Sequence, residues 1–157
     1  MRTQKLLAAC FLILSIFWSG VIWNFSIRDS VESTSESDSV TEAIENFIGS
    51  IAGRDIEIST AVIRKLAHFS EFAVLGILTF LTVSSFGVNK MRKIFLICSV
   101  WTFLTAAADE TIQLFSPGRS ASVFDVLLDF SGAVLALILC SCLSGMFKPE
   151  RDRKSVV

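Results

Sequence analysis

The sequence predicts an all-α membrane protein: a four-transmembrane-helix bundle with a short external amphipathic helix between the first two spans. Three observations predict it. Of the 157 residues 52% are hydrophobic and the mean hydropathy is +0.64, too apolar for a small soluble domain. Four stretches reach the roughly 20 mostly apolar residues that cross a bilayer. Lys and Arg gather beside alternate ends of those stretches, as they do when a chain weaves through a membrane with its basic residues on the cytoplasmic side.

The first span is expected at Leu6 to Phe25. Arg2 and Lys5 would suit the start of a signal peptide, but no small-x-small cleavage site follows Trp18 and the apolar run continues to Phe25, so it reads as an uncleaved span. Asp29 to Asp38 is rich in Ser and acid and has little to bury, the composition of a solvated linker. Val40, Ile44, Phe47, Ile48 and Ile51 then recur at helical spacing with Glu42 and Glu45 opposite them. That pattern predicts an amphipathic helix over Ser39 to Ala52, ended by Gly53, lying on the membrane surface or packed on the bundle. The remaining spans are expected at Leu66 to Phe86, Ile94 to Phe115 and Val123 to Phe147. The charged tail from Pro149 is expected to be disordered.

Orientation follows from charge position. Arg2, Lys5, Lys90, Arg92, Lys93, Lys148, Arg151, Arg153 and Lys154, nine of the 14 basic residues, fall on one side, which is therefore cytoplasmic along with both termini. The stretch from Ser26 to Ile63, with eight acidic residues, and the Ser116-Pro117-Gly118-Arg119 turn fall outside. The net charge of -1 says little about partners; no nucleic acid is expected, and membrane lipid is the partner that composition implies. Oligomeric state is open at this point. Cys10, Cys98, Cys140 and Cys142 all lie within spans, toward the cytoplasmic half, and read as small packing residues.

Against this apolar background stand Arg64, His68, Glu71, Asp109, Glu110, Gln113, Asp125 and Asp129. Such groups are costly in lipid and mark a functional site by default. A rise of ~1.5 Å per residue places His68 and Glu71 within roughly the outer 10 Å of the bilayer, and Asp109, Glu110 and Gln113 some ~20 to 30 Å along the outward-running third span. Asp125 and Asp129 occupy the first two turns of the fourth. All eight therefore share one level. Spacings of three and four residues put Arg64, His68 and Glu71 on one helix stripe, Asp109 and Gln113 on another, and Asp125, Asp129 and Gly132 on a third. The expected object is a small, acidic, outward-facing pocket, with Gly132 letting a neighbouring helix come close and Arg119 above it, free to pair with Asp125 or to grip an anionic ligand.

These residues form a pattern. Arg64-Lys-Leu-Ala-His68-Phe-Ser-Glu71-Phe-Ala-Val-Leu75-Gly76, then Asp109-Glu110-Thr-Ile-Gln113-Leu-Phe-Ser-Pro-Gly-Arg119, then Asp125, Asp129 and Gly132, resembles the VanZ-like family of small bacterial membrane proteins over about Arg64 to Leu139. The resemblance implies a bacterial plasma-membrane protein of the cell envelope. The family's founding member is associated with low-level resistance to the glycopeptide teicoplanin, and the family implies no settled reaction. Its characteristic positions map onto Arg64, His68, Glu71, Asp109, Glu110, Gln113, Arg119 and Asp125. Phe72 stands where the family often has Tyr, and Asp129 where it often has Asn. The second departure adds a negative charge and favours a proton or cation shared with Asp125.

Crowded carboxylates in a low-dielectric site cannot all stay ionised, so protons, Arg64, His68, Arg119 or a bound cation must compensate them. If the site is enzymatic, His68 or a carboxylate acts as general base with a neighbour as general acid. The substrate would be a phospholipid head group or a lipid-linked envelope intermediate. A divalent cation such as Mg, Mn or Zn suits the imidazole and carboxylate donors, although no spacing among them identifies a metal. Without catalysis, the site would bind a lipid or a glycopeptide-type ligand, conduct protons, or hold the helices together. Ser70 is about 100° around the helix from His68, which argues against a Ser-His pair.

Overall fold

The computed structural model describes residues 2–27, 30–52, 57–117 and 121–146. They form five helices: α1 (Arg2–Ile27), α2 (Ser30–Ala52), α3 (Thr60–Ser85), α4 (Met91–Gln113) and α5 (Val123–Met146). Four of these, over Thr3–Ile27, Thr60–Ser85, Met91–Gln113 and Val123–Gly145, are long and apolar enough to cross a membrane. The chain is a multi-pass, all-α membrane protein.

The surface bears this out. Leu6, Ile13, Phe17, Leu96 and Leu104 are all more than 60% exposed, an arrangement that water would penalise by about 25 cal/mol per Å² and that lipid does not. Inside lipid the helices are held by close packing and interhelical hydrogen bonds rather than by hydrophobic burial. Small and hydroxyl residues accordingly line the inward stripe of α1, where Ala8, Ser15, Ser19, Ile22 and Ser26 are buried at spacings of seven, four, three and four. Ser15 Oγ lies 2.9 Å from Thr82 Oγ1 on α3, and Trp18 Nε1 donates to the Glu71 carbonyl at 2.9 Å.

Helix α3 is central and touches every other helix, while α1 and α5 flank the α3–α4 pair on opposite sides. Its approach to α5 is the closest in the bundle for a sequence reason. Gly76 and Gly132 lack the Cβ that would hold the backbones apart: one built on Gly76 would sit 2.7 Å from the Ala133 carbonyl oxygen, and one on Gly132 would overlap the Phe69 carbonyl oxygen. Two clusters fill the interior. Phe80, Val83, Ile94, Cys98 and Leu137 pack at the end bearing the α3–α4 turn; Ile22, Phe72, Leu75, Ala106 and Ala133 pack toward the other end, beneath the polar residues. Cys98 is buried as packing, whereas Cys10 and Cys142 are exposed on the lipid-facing surface.

Two boundaries differ from the sequence-based expectation. The second span begins at Thr60 rather than Leu66, so Arg64 and Lys65 lie inside α3; helices continue past the apolar core as far as backbone hydrogen bonding carries them, and α3 starts at the Ser59 carbonyl, which accepts from Val62 and Ile63 N–H. The expected linker over Asp29 to Asp38 is helical from Ser30 onward. Once the apolar segment nucleates α2, each added residue costs little, and Ser and Glu are not helix breakers. Gly53, Arg119 and the tail from Pro149 lie outside the described residues.

The two placements weighed for α2 are also separated. Val40, Phe47 and Ile51 are at least half exposed, while Thr41 is buried and Ile44 and Glu45 are half-buried. Glu45 Oε1 accepts from Ile58 N–H at 2.6 Å, and Thr60 Oγ1 donates to Asp38 Oδ1 at 2.8 Å. Thus α2 is tied sideways to the start of α3, and among the described residues its apolar stripe is covered at Ile44 and exposed at Val40, Phe47 and Ile51.

Candidate functional site

The C-terminal ends of α1 and α4 and the N-terminal turns of α3 and α5 meet at one end of the bundle, and the polar residues singled out above divide there into distinct groups. At the centre, one ligand atom each from His68, Asp109 and Asp129 lies within 4.8 Å of the other two. These come from α3, α4 and α5, so no pair of helices alone could assemble them. Asp109 is fully buried and Asp129 is 3% exposed.

Each central residue is oriented differently. Asp109 Oδ1 accepts from Ser26 Oγ at 2.6 Å and Oδ2 from Gln113 Nε2 at 3.0 Å, which fixes the carboxylate between α1 and its own helix. His68 Nδ1 faces Glu71 Oε2 at 3.7 Å, one helical turn along α3. Asp129 joins no hydrogen bond or ion pair among the described residues.

The other predicted residues are held at the margin. Glu110 is 4% exposed, and its Oε1 accepts from the Ser122 N–H at 2.5 Å. Ser122 also caps α5: its carbonyl receives Asp125 and Val126 N–H, and its Oγ receives Phe124 N–H at 3.2 Å. Glu110 thus ties the entry of α5 to the exit of α4. Asp125 pairs with Lys65 at 2.5 Å across α3 and α5. A helix advances 40° over four residues, so the two aspartates of the stripe do not point alike, and the α3 cation Lys65 reaches Asp125. Arg64 is half-buried and forms no ion pair among the described residues. Ser70 Oγ bonds the Leu66 carbonyl and is exposed.

Three participants were not singled out from the sequence. Ser26 is fully buried against Asp109, and Ser116 Oγ donates to the Ser26 carbonyl at 2.7 Å, so the end of α1 is stitched to the end of α4. The signal for Ser26 lay in the Ser15, Ser19, Ser26 spacing along an otherwise apolar helix. Lys65 carried a weaker signal, one turn before His68, and Ser122 carried its capping position directly before Val123.

Magnitudes separate the groups. An Asp within a span costs about 2.5–3.5 kcal/mol at the helix centre, whereas an interhelical hydrogen bond returns about 0.6 kcal/mol. Asp129 has no hydrogen bond among the described residues to offset that cost. The expected result for Glu110 is different, because its removal leaves the half-buried Ser122 N–H without this partner: Glu110→Ala should lower bundle stability by about 1 kcal/mol in a detergent unfolding titration, and an unchanged midpoint would show that the α4–α5 tie carries no stability.

Two apolar grooves lie elsewhere. One, of about 750 Å³, runs between α4 and α5 beside Met91, Leu96 and Ile138, and another, of about 520 Å³, runs beside Trp23, Trp101 and Leu104. Both open on the lipid-facing flank and neither reaches the polar cluster.

A family model described as VanZ/LLP1 matches residues 11–144, taking in α1 as well as the three helices whose residues carry the pattern. No curated protein and no solved structure matches the chain.

Proposed function

We propose, from the premise that this chain belongs to the VanZ/LLP1 family, that it is a protein of the bacterial plasma membrane whose polar end opens to the outer face and takes the head group of an envelope lipid or lipid-linked intermediate. The observation that supports this best is the convergence of His68, Asp109 and Asp129 from three helices long and apolar enough to cross a membrane, near one end of the bundle. Ionisable groups gathered from several spans are costly in lipid and mark a functional site by default, which favours a ligand role. The exposed part of the apolar stripe of α2 suits a helix lying in the membrane interface beside the site.

Within this reading the residues divide by role. His68, Asp109 and Asp129 contact the ligand, Glu71, Ser26 and Gln113 orient them, and Glu110 with Ser122 holds the loop. The alternative, that the whole network is interhelical glue, is favoured by the Ser26, Gln113 and Ser122 bonds but leaves Asp129 without a reason.

Extraction of the full-length protein in native-lipid nanodiscs, followed by mass spectrometry of the retained lipids, tests the reading. One lipid class should be enriched over bulk membrane and lost in His68→Ala protein that is equally well folded. An identical lipid profile in both would overturn it. Orientation is tested separately: alkaline phosphatase fused within the 116–122 loop should be active and a fusion after residue 146 inactive, and the reverse pattern would put the site on the cytoplasmic face.

A further inference from the structure

The end of the bundle opposite the polar cluster carries charge of one sign. Among the described residues no Asp or Glu stands in α1, between Phe72 and Ala108 or after Asp129, while Lys5, Lys90, Arg92 and Lys93 are all exposed at that end. Neither Arg92 nor Lys93 joins an ion pair among the described residues. The start of α4 sharpens the imbalance. Lys90 is its N-cap and supplies no side-chain hydrogen bond, since an ammonium has no lone pair to offer the free N–H groups of the first turn, and no acid lies in that turn. Arg92 and Lys93 instead add two positive charges to the positive end of the helix dipole. The three contributions together favour an anion from outside the chain.

An apolar cleft opens at the same turn. The groove of about 750 Å³ between α4 and α5 has Met91, Arg92 and Lys93 at its end and Phe95, Leu96 and Ile138 along its wall. From Met91 to Ser99, the stretch of α4 that lines it, the helix rises ~12 Å, most of the ~15 Å depth of one leaflet's hydrocarbon. Cations beside an apolar cleft of that depth match the two halves of one lipid molecule.

We infer that the α4–α5 groove binds an anionic phospholipid, with its phosphate against Arg92 and Lys93 and an acyl chain along Phe95, Leu96 and Ile138. A zwitterionic lipid fits the same cleft but brings its own cation to the two already there, so the anionic class is preferred. The polar cluster at the other end takes no part.

Full-length protein, delipidated in a neutral detergent, is titrated with phosphatidylglycerol or with phosphatidylcholine of the same chains, and the adducts are followed by native mass spectrometry. The phosphatidylglycerol adduct should form at about 10-fold lower concentration. Arg92→Gln together with Lys93→Gln should weaken it by about 10- to 30-fold. Lys5→Gln together with Lys90→Gln removes the same charge from outside the groove and should leave the adduct near its wild-type affinity. Ile138→Trp fills the cleft without altering charge and should weaken both lipids. Equal wild-type affinity for the two lipids overturns the proposal whether or not any variant folds. Equal losses in the two double variants would mean surface charge alone, and wild-type affinity in Ile138→Trp would mean that no chain enters the cleft; either result overturns it. Displacement of the lipid by an equal concentration of glycerol phosphate would mean a free anion and overturn it as well.

Discussion

Gly132→Ala should lower the stability of the bundle by about 1–3 kcal/mol or more and weaken ligand retention with it. A Cβ at this position would overlap the Phe69 carbonyl oxygen, a backbone atom that cannot rotate away. Helix α5 must therefore withdraw from α3. Phe69 follows His68, and Asp129 lies one turn from Gly132, so the same displacement opens the distance between two of the three central donors. Gly20→Ala is the internal control, because nothing lies within 4 Å of a Cβ there and alanine is the better helix former. Unfolding in detergent, followed by tryptophan fluorescence, measures both. Equal midpoints for the two variants would mean that the α3–α5 approach is not as close as described.

Asp129→Asn should behave in the opposite sense, preserving or raising the unfolding midpoint, by up to about 1 kcal/mol, while removing lipid binding. The variant replaces a buried carboxyl group that has no hydrogen bond among the described residues, at almost constant volume. A gain in stability coupled to a loss of function is characteristic of sites held against their own folding energy. If Asp129 instead served as interhelical glue, the amide would weaken the bundle, and a lowered midpoint with retained binding would count against the site as drawn. Read with Glu110→Ala, the pair of variants separates residues that hold the helices from residues that the helices hold.

Much of this was legible in the chain. The number of spans, their approximate ends and the common level of His68, Glu71, Asp109, Gln113, Asp125 and Asp129 follow from a bilayer's thickness and a fixed rise per residue. The stripe that joins Asp109 to Gln113 follows from helical periodicity and is seen as a direct hydrogen bond. The helical start of α2 was missed because Ser-rich acidic sequence reads as linker when taken alone. Ser26 was missed because one hydroxyl in an apolar span has no distinguishing composition.

By itself the sequence determined that this is a four-span membrane protein with polar residues gathered at one end, because hydropathy, length and periodicity are local properties that each segment carries without its neighbours. Only the tertiary structure decided which of those residues meet: that Asp129 faces His68 and Asp109, that Asp125 is drawn off by Lys65, and that Glu110 is spent on Ser122. Those partnerships depend on how far each helix is rotated about its axis and how closely two backbones approach. Both are set by contacts such as Gly132 against Phe69 and Gly76 against Ala133, between residues more than fifty positions apart, where no local rule reaches.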